Sequence, residues 1–247
     1  MDRLVYVAMS GAKETMRALT ANNHNLANVS TTGFRADLSA FQTNQVTGAG
    51  LPSRAYAMDS SVGWDASAGA LQNTGRSLDV AIKGSGWLAV QSADGSEAYT
   101  RAGDLHVDEN GSLVTANGLQ VLSDSGVVSV APYNSITIGS DGTISIVPAG
   151  QTASTSAVVG RIKLVNPPAQ NVVRGQDGLF RLDSGESAPS DASVSLVPGA
   201  LEGSNVDVAQ VMTNMIELSR RYDLQVKAMR TAEDTASSGT KLLQTSC

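Results

Sequence analysis

The chain has 247 residues, of which 41% are hydrophobic but only 4% aromatic, and a formal charge of −6. That charge is uneven: residues 1–36 carry four basic and two acidic groups, 202–247 five and six, and 37–201 eight and fifteen. The acidic middle argues against a nucleic-acid-binding role. A single cysteine, Cys247, and two histidines, His24 and His106, leave no intrachain disulfide and too few ligands for a metal centre.

The chain opens on a periodic segment. Val5, Met9, Ala12, Met16, Leu19, Asn23 and Leu26 alternate spacings of four and three, which predicts a helix over 4–28 that packs on other helices. Asn23 falls at a seam position, where a polar side chain sets register. The other face, Ala8, Gly11, Thr15, Ala18, Asn22 and Asn25, is small or polar and lets neighbouring backbones approach. Gly33 is expected to take the positive φ that terminates this helix. Charged residues within the first twenty positions leave no signal-peptide core, and no apolar run reaches the length of a membrane span.

Residues 37–75, rich in Gly, Ser, Ala and Thr, read as a linker or extended segment. Over 76–200 the pattern becomes short runs of β-forming residues, among them 78–82, 87–91, 98–101, 119–122, 136–138, 143–147 and 158–165. They are separated by Asp94-Gly95, Asn110-Gly111, Asn117-Gly118, Asp141-Gly142 and Asp177-Gly178, dipeptides that favour hairpin turns. An antiparallel sandwich or irregular barrel is expected. From 201 the helical pattern returns, with Ser204 or Asn205 as cap and Asp207 in the first turn. Val208, Val211, Met215, Leu218, Tyr222, Met229, Ala232 and Ala236 keep the three/four spacing, and Met212, Ile216 and Val226 widen the apolar face.

The predicted fold class is therefore α+β. Long N- and C-terminal helices (1–36 and 201–247) pair as a coiled-coil-like assembly domain, and an antiparallel β-rich domain lies between them. The residues expected at the assembly interface are Val5, Met9, Met16, Leu19, Asn23, Leu26, Val208, Val211, Met215, Leu218, Tyr222 and Met229.

Motifs with chemical meaning are weak. Gly84-Ser-Gly86-Trp-Leu-Ala89 matches a dinucleotide fingerprint, but a β run follows it where pyrophosphate binding needs a helix N-terminus. Ser10-Gly-Ala-Lys13 has the spacing of some acyl-enzyme hydrolases but lies on a helix face with no companion motif. None of the Asp-Gly turns has the run of ligands of a calcium loop. No catalytic constellation and no cofactor site is expected.

Three motifs, in order, resemble those of the axial proteins of the bacterial flagellum, the rod and hook subunits. The first is Asn22-Asn-His-Asn-Leu-Ala-Asn-Val-Ser-Thr-Thr-Gly-Phe-Arg35. The second is Leu78-Asp-Val-Ala-Ile-Lys-Gly-Ser-Gly-Trp87, followed by Tyr99-Thr-Arg-Ala-Gly-Asp-Leu105. The third is Leu201-Glu-Gly-Ser-Asn-Val-Asp207 with Met215-Ile-Glu-Leu-Ser-Arg-Arg-Tyr222. Length and the opening Met1–Met9 most resemble the proximal-rod branch, with the distal-rod branch as the alternative. His24-Asn25 departs from the family's usual run of asparagines. The resemblance implies paired terminal helices that form the inner tube of a rod, with the β domain outside it. It also implies partners that are copies of the chain and other rod proteins, export through the flagellar type III apparatus without signal cleavage, and a periplasmic destination in the basal body. The competing class is a secreted β-rich surface protein with helical ends, which would need only one partner surface.

Overall fold

The periodic segment at the start of the chain forms α1 (Asp2–Ala27), and the one at the end forms α2 (Val208–Gln244). The computed structural model describes residues 2–45, 55–150 and 156–244. The chain divides into two units, one drawn from 1–29, 36–65 and 206–247, the other from 30–35 and 66–205. Cys247 and residues 46–54 of the expected linker lie outside the described residues.

In the first unit α1 and α2 lie against each other. At roughly 1.5 Å per residue α2 is about 55 Å long. Its cap is Asp207, whose Oδ1 accepts from the backbone N–H of Ala209 at 2.9 Å and of Gln210 at 3.3 Å. Capping thus falls to Asp207 and not to Ser204 or Asn205, because helical geometry begins only at Val208. The last turn of α1 closes through Asn28 N–H to His24 O and Val29 N–H to Leu26 O.

The same unit contains an antiparallel hairpin of β1 (Asp37–Gln45) and β2 (Ala55–Trp64), in a stretch expected to be linker. The register runs from Asp37 opposite Trp64 to Gln45 opposite Ala55, with one irregularity between Leu38 and Ser39. These strands show little apolar alternation, so periodicity did not reveal them; their order comes from the ladder of backbone hydrogen bonds.

The second unit is the β region. Its first strands are β3 (Leu71–Asn73), β4 (Val80–Lys83), β5 (Trp87–Gln91), β6 (Glu97–Thr100), β7 (Leu105–Val107), β8 (Leu113–Thr115), β9 (Gln120–Ser123) and β10 (Gly126–Val127). Then come β11 (Tyr133–Ile138), β12 (Thr143–Pro148), β13 (Ala157–Arg161), β14 (Leu164–Val165), β15 (Val172–Arg174), β16 (Phe180–Leu182), β17 (Ser195–Pro198) and β18 (Ala200–Glu202). The largest sheet runs β15-β16-β6-β5-β9-β8-β7, with β10 on β9 and β14 on β5. A smaller sheet is β11-β12-β13, and β17 pairs with β4 and β18 with β3.

All pairings in this unit are antiparallel, as expected of strands joined by tight turns. Each of the five Asp-Gly and Asn-Gly dipeptides sits between two consecutive strands, its glycine at φ between 78° and 83°. Alternate residues point inward and meet in one aliphatic core that includes Val80, Leu88, Val90, Leu105, Leu113, Val121, Ile144 and Ile162. The glycine-rich stretch at Gly84–Gly86 is a turn between β4 and β5.

Candidate assembly surface and a buried arginine cluster

The face of α1 that packs is not its apolar stripe. Gly11, Ala12, Glu14, Thr15, Ala18, Asn22 and Asn25 are buried, and of these only Ala12 belongs to the stripe. Met9 and Met16 are 51% and 48% exposed, Asn23 is exposed, and Val5, Leu19 and Leu26 are half-buried. Small residues let the helices approach closely. A Cβ added to Gly11 would stand 2.8 Å from Gln225 Nε2, and Thr15 Oγ1 donates to Gln225 Oε1 at 3.3 Å.

On α2 the spacing and the packed face coincide from Val211 onward, with Val208 exposed. Val211 and Ala232 are buried, and Met215, Leu218, Tyr222, Gln225 and Met229 are half-buried. Val208, Met212, Ile216 and Leu224 face solvent at 39%, 51%, 57% and 67% exposure. Large apolar side chains are thus exposed on both helices.

The asparagine-rich motif closes backbone hydrogen bonds. Buried Asn22 donates from Nδ2 to Val211 O at 2.9 Å, joining the two helices; the register-setting amide is therefore at 22, one position before the seam residue Asn23. Asn25 pairs with Asp37 at both ends of its amide, Nδ2 donating to Asp37 O at 2.9 Å and Oδ1 accepting from Asp37 N–H at 2.8 Å. His24 Nδ1 lies 2.6 Å from Asp37 Oδ2. Each amide satisfies a group that would otherwise lose its hydrogen bond on burial.

In the β unit the three sequence motifs meet. Arg35 is fully buried, Glu202 is 1% exposed and Arg101 is 4% exposed. One carboxylate holds both guanidinium groups: Arg35 Nη2 is 2.7 Å from Glu202 Oε1, and Arg101 Nε is 3.0 Å from Glu202 Oε2. Arg35 also donates to Ser67 O, and Arg101 to Gly84 O. Burial pulls the Arg101 guanidinium down to about 10, opposed by Glu202 and reinforced by Arg35, so it stays charged at neutral pH.

Gly33 sits beside this cluster with φ of 68°. A Cβ there would come within 2.3 Å of the Arg101 carbonyl carbon, and its N–H donates to Glu202 O at 2.7 Å. Since α1 has ended at Ala27, six residues earlier, Gly33 brings two backbones together and does not stop a helix. Gly69 plays a matching part, its N–H donating to Glu202 Oε1 at 2.9 Å. Arg35, Arg101 and Glu202 all lie inside motifs singled out from sequence, but nothing in a linear pattern signals that their charges pair.

Among the described residues no cluster of three or more His, Cys, Asp or Glu is placed to hold a metal, and no helix is long and apolar enough to cross a membrane. The architecture defines an α+β chain with a terminal helical unit that displays apolar side chains and a β unit fastened by buried ion pairs. Family models agree: residues 81–146 match the flagellar hook protein FlgE/F/G D1 domain, and 197–242 match the flagellar basal body rod FlgEFG protein C-terminal region. The chain is 42% identical over 252 residues to the flagellar basal-body rod protein FlgF of Escherichia coli K12, and 40% identical to FlgF of Salmonella typhimurium LT2; both alignments cover all of each chain. Against FlgG of Bacillus subtilis 168 the identity is 33%, over 95% of this chain and 96% of that one. The chain belongs to the flagellar basal-body rod protein family.

Proposed function

We propose that this chain is a structural subunit of the flagellar basal-body rod, and that it polymerises through its terminal helices. The observation that supports this most is the outward display of Met9, Met16, Met212 and Ile216 on helices that already pack on one another, α1 through its small face. Half-burying one such side chain contributes on the order of 1 kcal/mol. Repeated along two helices and over several neighbours, that drives association. The helices then act as a coiled-coil-like pair, and the interface residues expected from sequence divide between two jobs. Val211, Met215, Leu218, Tyr222 and Met229 serve the pair within a subunit. Met9, Met16, Asn23 and Val208 serve contacts between subunits, and Val5, Leu19 and Leu26 flank both.

The partners in this reading are copies of the chain and other rod proteins, after delivery by the flagellar type III export apparatus without a cleaved signal, and the destination is the periplasmic rod. The role is mechanical, with no catalysis, cofactor, nucleic acid or membrane insertion. A proximal-rod position is preferred to a distal one because identity is higher to the two FlgF proteins than to the Bacillus FlgG.

The test is complementation. Met9→Gln, Met16→Gln, Met212→Gln and Ile216→Gln combined should leave the circular dichroism and melting of the soluble chain close to those of the parent. The same variant should fail to restore rods and swimming in a strain lacking this gene. Normal rods from this variant would reject the proposal.

A further inference from the structure

The segment 30–35 is grouped with the β unit although the residues on both sides of it, 1–29 and 36–65, are grouped with the other unit. It is held in the manner of a bound peptide. Gly33 N–H donates to Glu202 O, Phe34 O accepts from Asn205 N–H at 3.3 Å, and Arg35 O accepts from Arg174 Nη1 at 3.0 Å. The side chains are held as well. The Arg174 guanidinium lies over the Phe34 ring at 4.5 Å, and the Arg35 guanidinium meets Glu202 Oε1 and Ser67 O. Backbone and side chains are recognised together, which gives affinity and selectivity in one site.

The host side of this site has its own internal contacts. Glu202 gives its Oε2 to Arg101 and its Oε1 to the segment, so removal of Arg35 leaves the carboxylate still paired. Arg101 keeps Gly84 O and a place over the Trp87 ring at 5.8 Å. Arg174 keeps the Phe180 ring at 5.7 Å, and Phe180 in turn lies against Trp87 at 4.4 Å between centroids. Alternating cations and rings thus form a wall whose own contacts do not involve the segment. The absence of a Cβ at Gly33 is part of the fit, since any larger residue would strike the Arg101 backbone.

We propose that the β unit carries a preformed recognition slot for a Gly-Phe-Arg segment, occupied here by the chain's own Gly33–Arg35 and able to take the same segment of a second copy of this chain. Exchange of an identical element between copies costs little in contact energy, because the contacts made are the same. What holds the tethered copy in place is its effective concentration, which short tethers raise to the millimolar range. The inference concerns the β unit alone and does not depend on the rod reading.

The experiment uses the full chain carrying Trp64→Phe, so that Trp87 is its sole tryptophan, with Phe34→Ala and Arg35→Ala to empty the side-chain part of the slot and leave the tethered segment only its backbone contacts. The probe is a capped peptide with the sequence of residues 30–36. A saturable change in Trp87 emission is expected. It should weaken at least about tenfold, the loss of a charge-assisted pair, when Glu202→Gln is added or when the peptide carries Glu in place of its Arg. The chain with Phe34 and Arg35 intact should show no saturable response at the concentration that saturates the emptied form. Three results would overturn the proposal: no saturable response from an emptied chain that still melts cooperatively, a response indifferent to Glu202→Gln, or loss of cooperative melting on emptying. The last would mean that the segment is part of the core and that no preformed slot exists.

Discussion

The two units bury different kinds of residue. In the β unit the interior is Leu, Ile and Val, and exposed large apolar residues occur singly on separate strands, as Leu71, Val127, Val158 and Val173, which is ordinary for a protein surface. In the helical unit the buried set is Gly11, Ala12, Glu14, Thr15, Ala18, Asn22, Asn25, Val211 and Ala232, while Met9, Met16, Met212, Ile216 and Leu224 stand in solvent. One unit spends its large apolar side chains on itself. The other packs the small face of α1 and leaves several large apolar side chains of both helices exposed. Exposed apolar residues mean little one at a time, but large ones that recur along a pair of packed helices are what the proposed assembly surface rests on.

The contrast breaks most severely where the β unit buries two arginines around one carboxylate. Glu202→Ala would leave two guanidinium groups buried near each other with no carboxylate between them. The expected loss is about 3–5 kcal/mol of β-unit stability. A thermal melt followed by β-sheet circular dichroism reads it, and an unchanged midpoint would mean that the cluster is solvated. Gly33→Ala comes next. The left-handed backbone costs an alanine about 1–2 kcal/mol, and the approach to Arg101 adds to that. Roughly 2–4 kcal/mol is expected in all.

The helical unit supplies a sharper, smaller test. Ala18, at 2% exposure, has no room for a larger side chain, so Ala18→Leu should destabilise the helix pair by about 1–3 kcal/mol. Met16→Gln, two residues away on the exposed face, should alter the stability of the soluble chain by less than about 0.5 kcal/mol. Denaturant melts followed by helical circular dichroism separate the two. Equal effects would erase the distinction between the small, packed face and the large, displayed one.

Much of this was legible in the sequence. Both helices, the five dipeptide turns and most of the central strands follow from local rules, since their periodicities and turn residues act within a few positions. On α2 the three/four spacing also identifies the packed face. On α1 it does not: the stripe from Met9 to Leu26 is the more apolar face, but close packing of backbones favours the smaller one, and the buried amide is Asn22 instead of Asn23. Spacing tells which face is apolar, and only tertiary contact tells which apolar face is used at home. The β1–β2 hairpin was hidden for a different reason, since its strands pair without apolar alternation. The Arg35–Glu202–Arg101 cluster joins positions separated by up to 167 in the chain, as 202 minus 35, and no local signal reports such a pairing.

The smallest expected effect concerns a carboxylate that the β unit tolerates without stabilising it. Asp104 forms an isolated bridge with Asp79, and Gly103 beside it touches the Val80 carbonyl so closely that no Cβ would fit. Burial raises the Asp104 carboxyl above its ordinary value; a hydrogen bond from its own backbone opposes this, the Asp79 charge adds to it, and Arg76 and His106 oppose it more weakly. A carboxyl whose folded value lies above its unfolded one binds its proton more tightly in the folded state. Its contribution to stability is therefore full below the unfolded value and is lost as pH rises through the folded one. Asp94, Asp141, Asp177 and Asp191 are shifted the opposite way, chiefly by hydrogen bonds from neighbouring side chains, and what they contribute is lost as pH falls. The whole-protein acid profile mixes the two, so the informative quantity is the difference between Asp104→Asn and its parent. The amide keeps the shape and removes the charge. It should melt slightly higher than the parent at neutral pH, and the gap should close as the pH falls toward 4. A gap that widened on acidification would mean that the Asp104 carboxylate stabilises the fold and that its proton is held less tightly than in the unfolded chain.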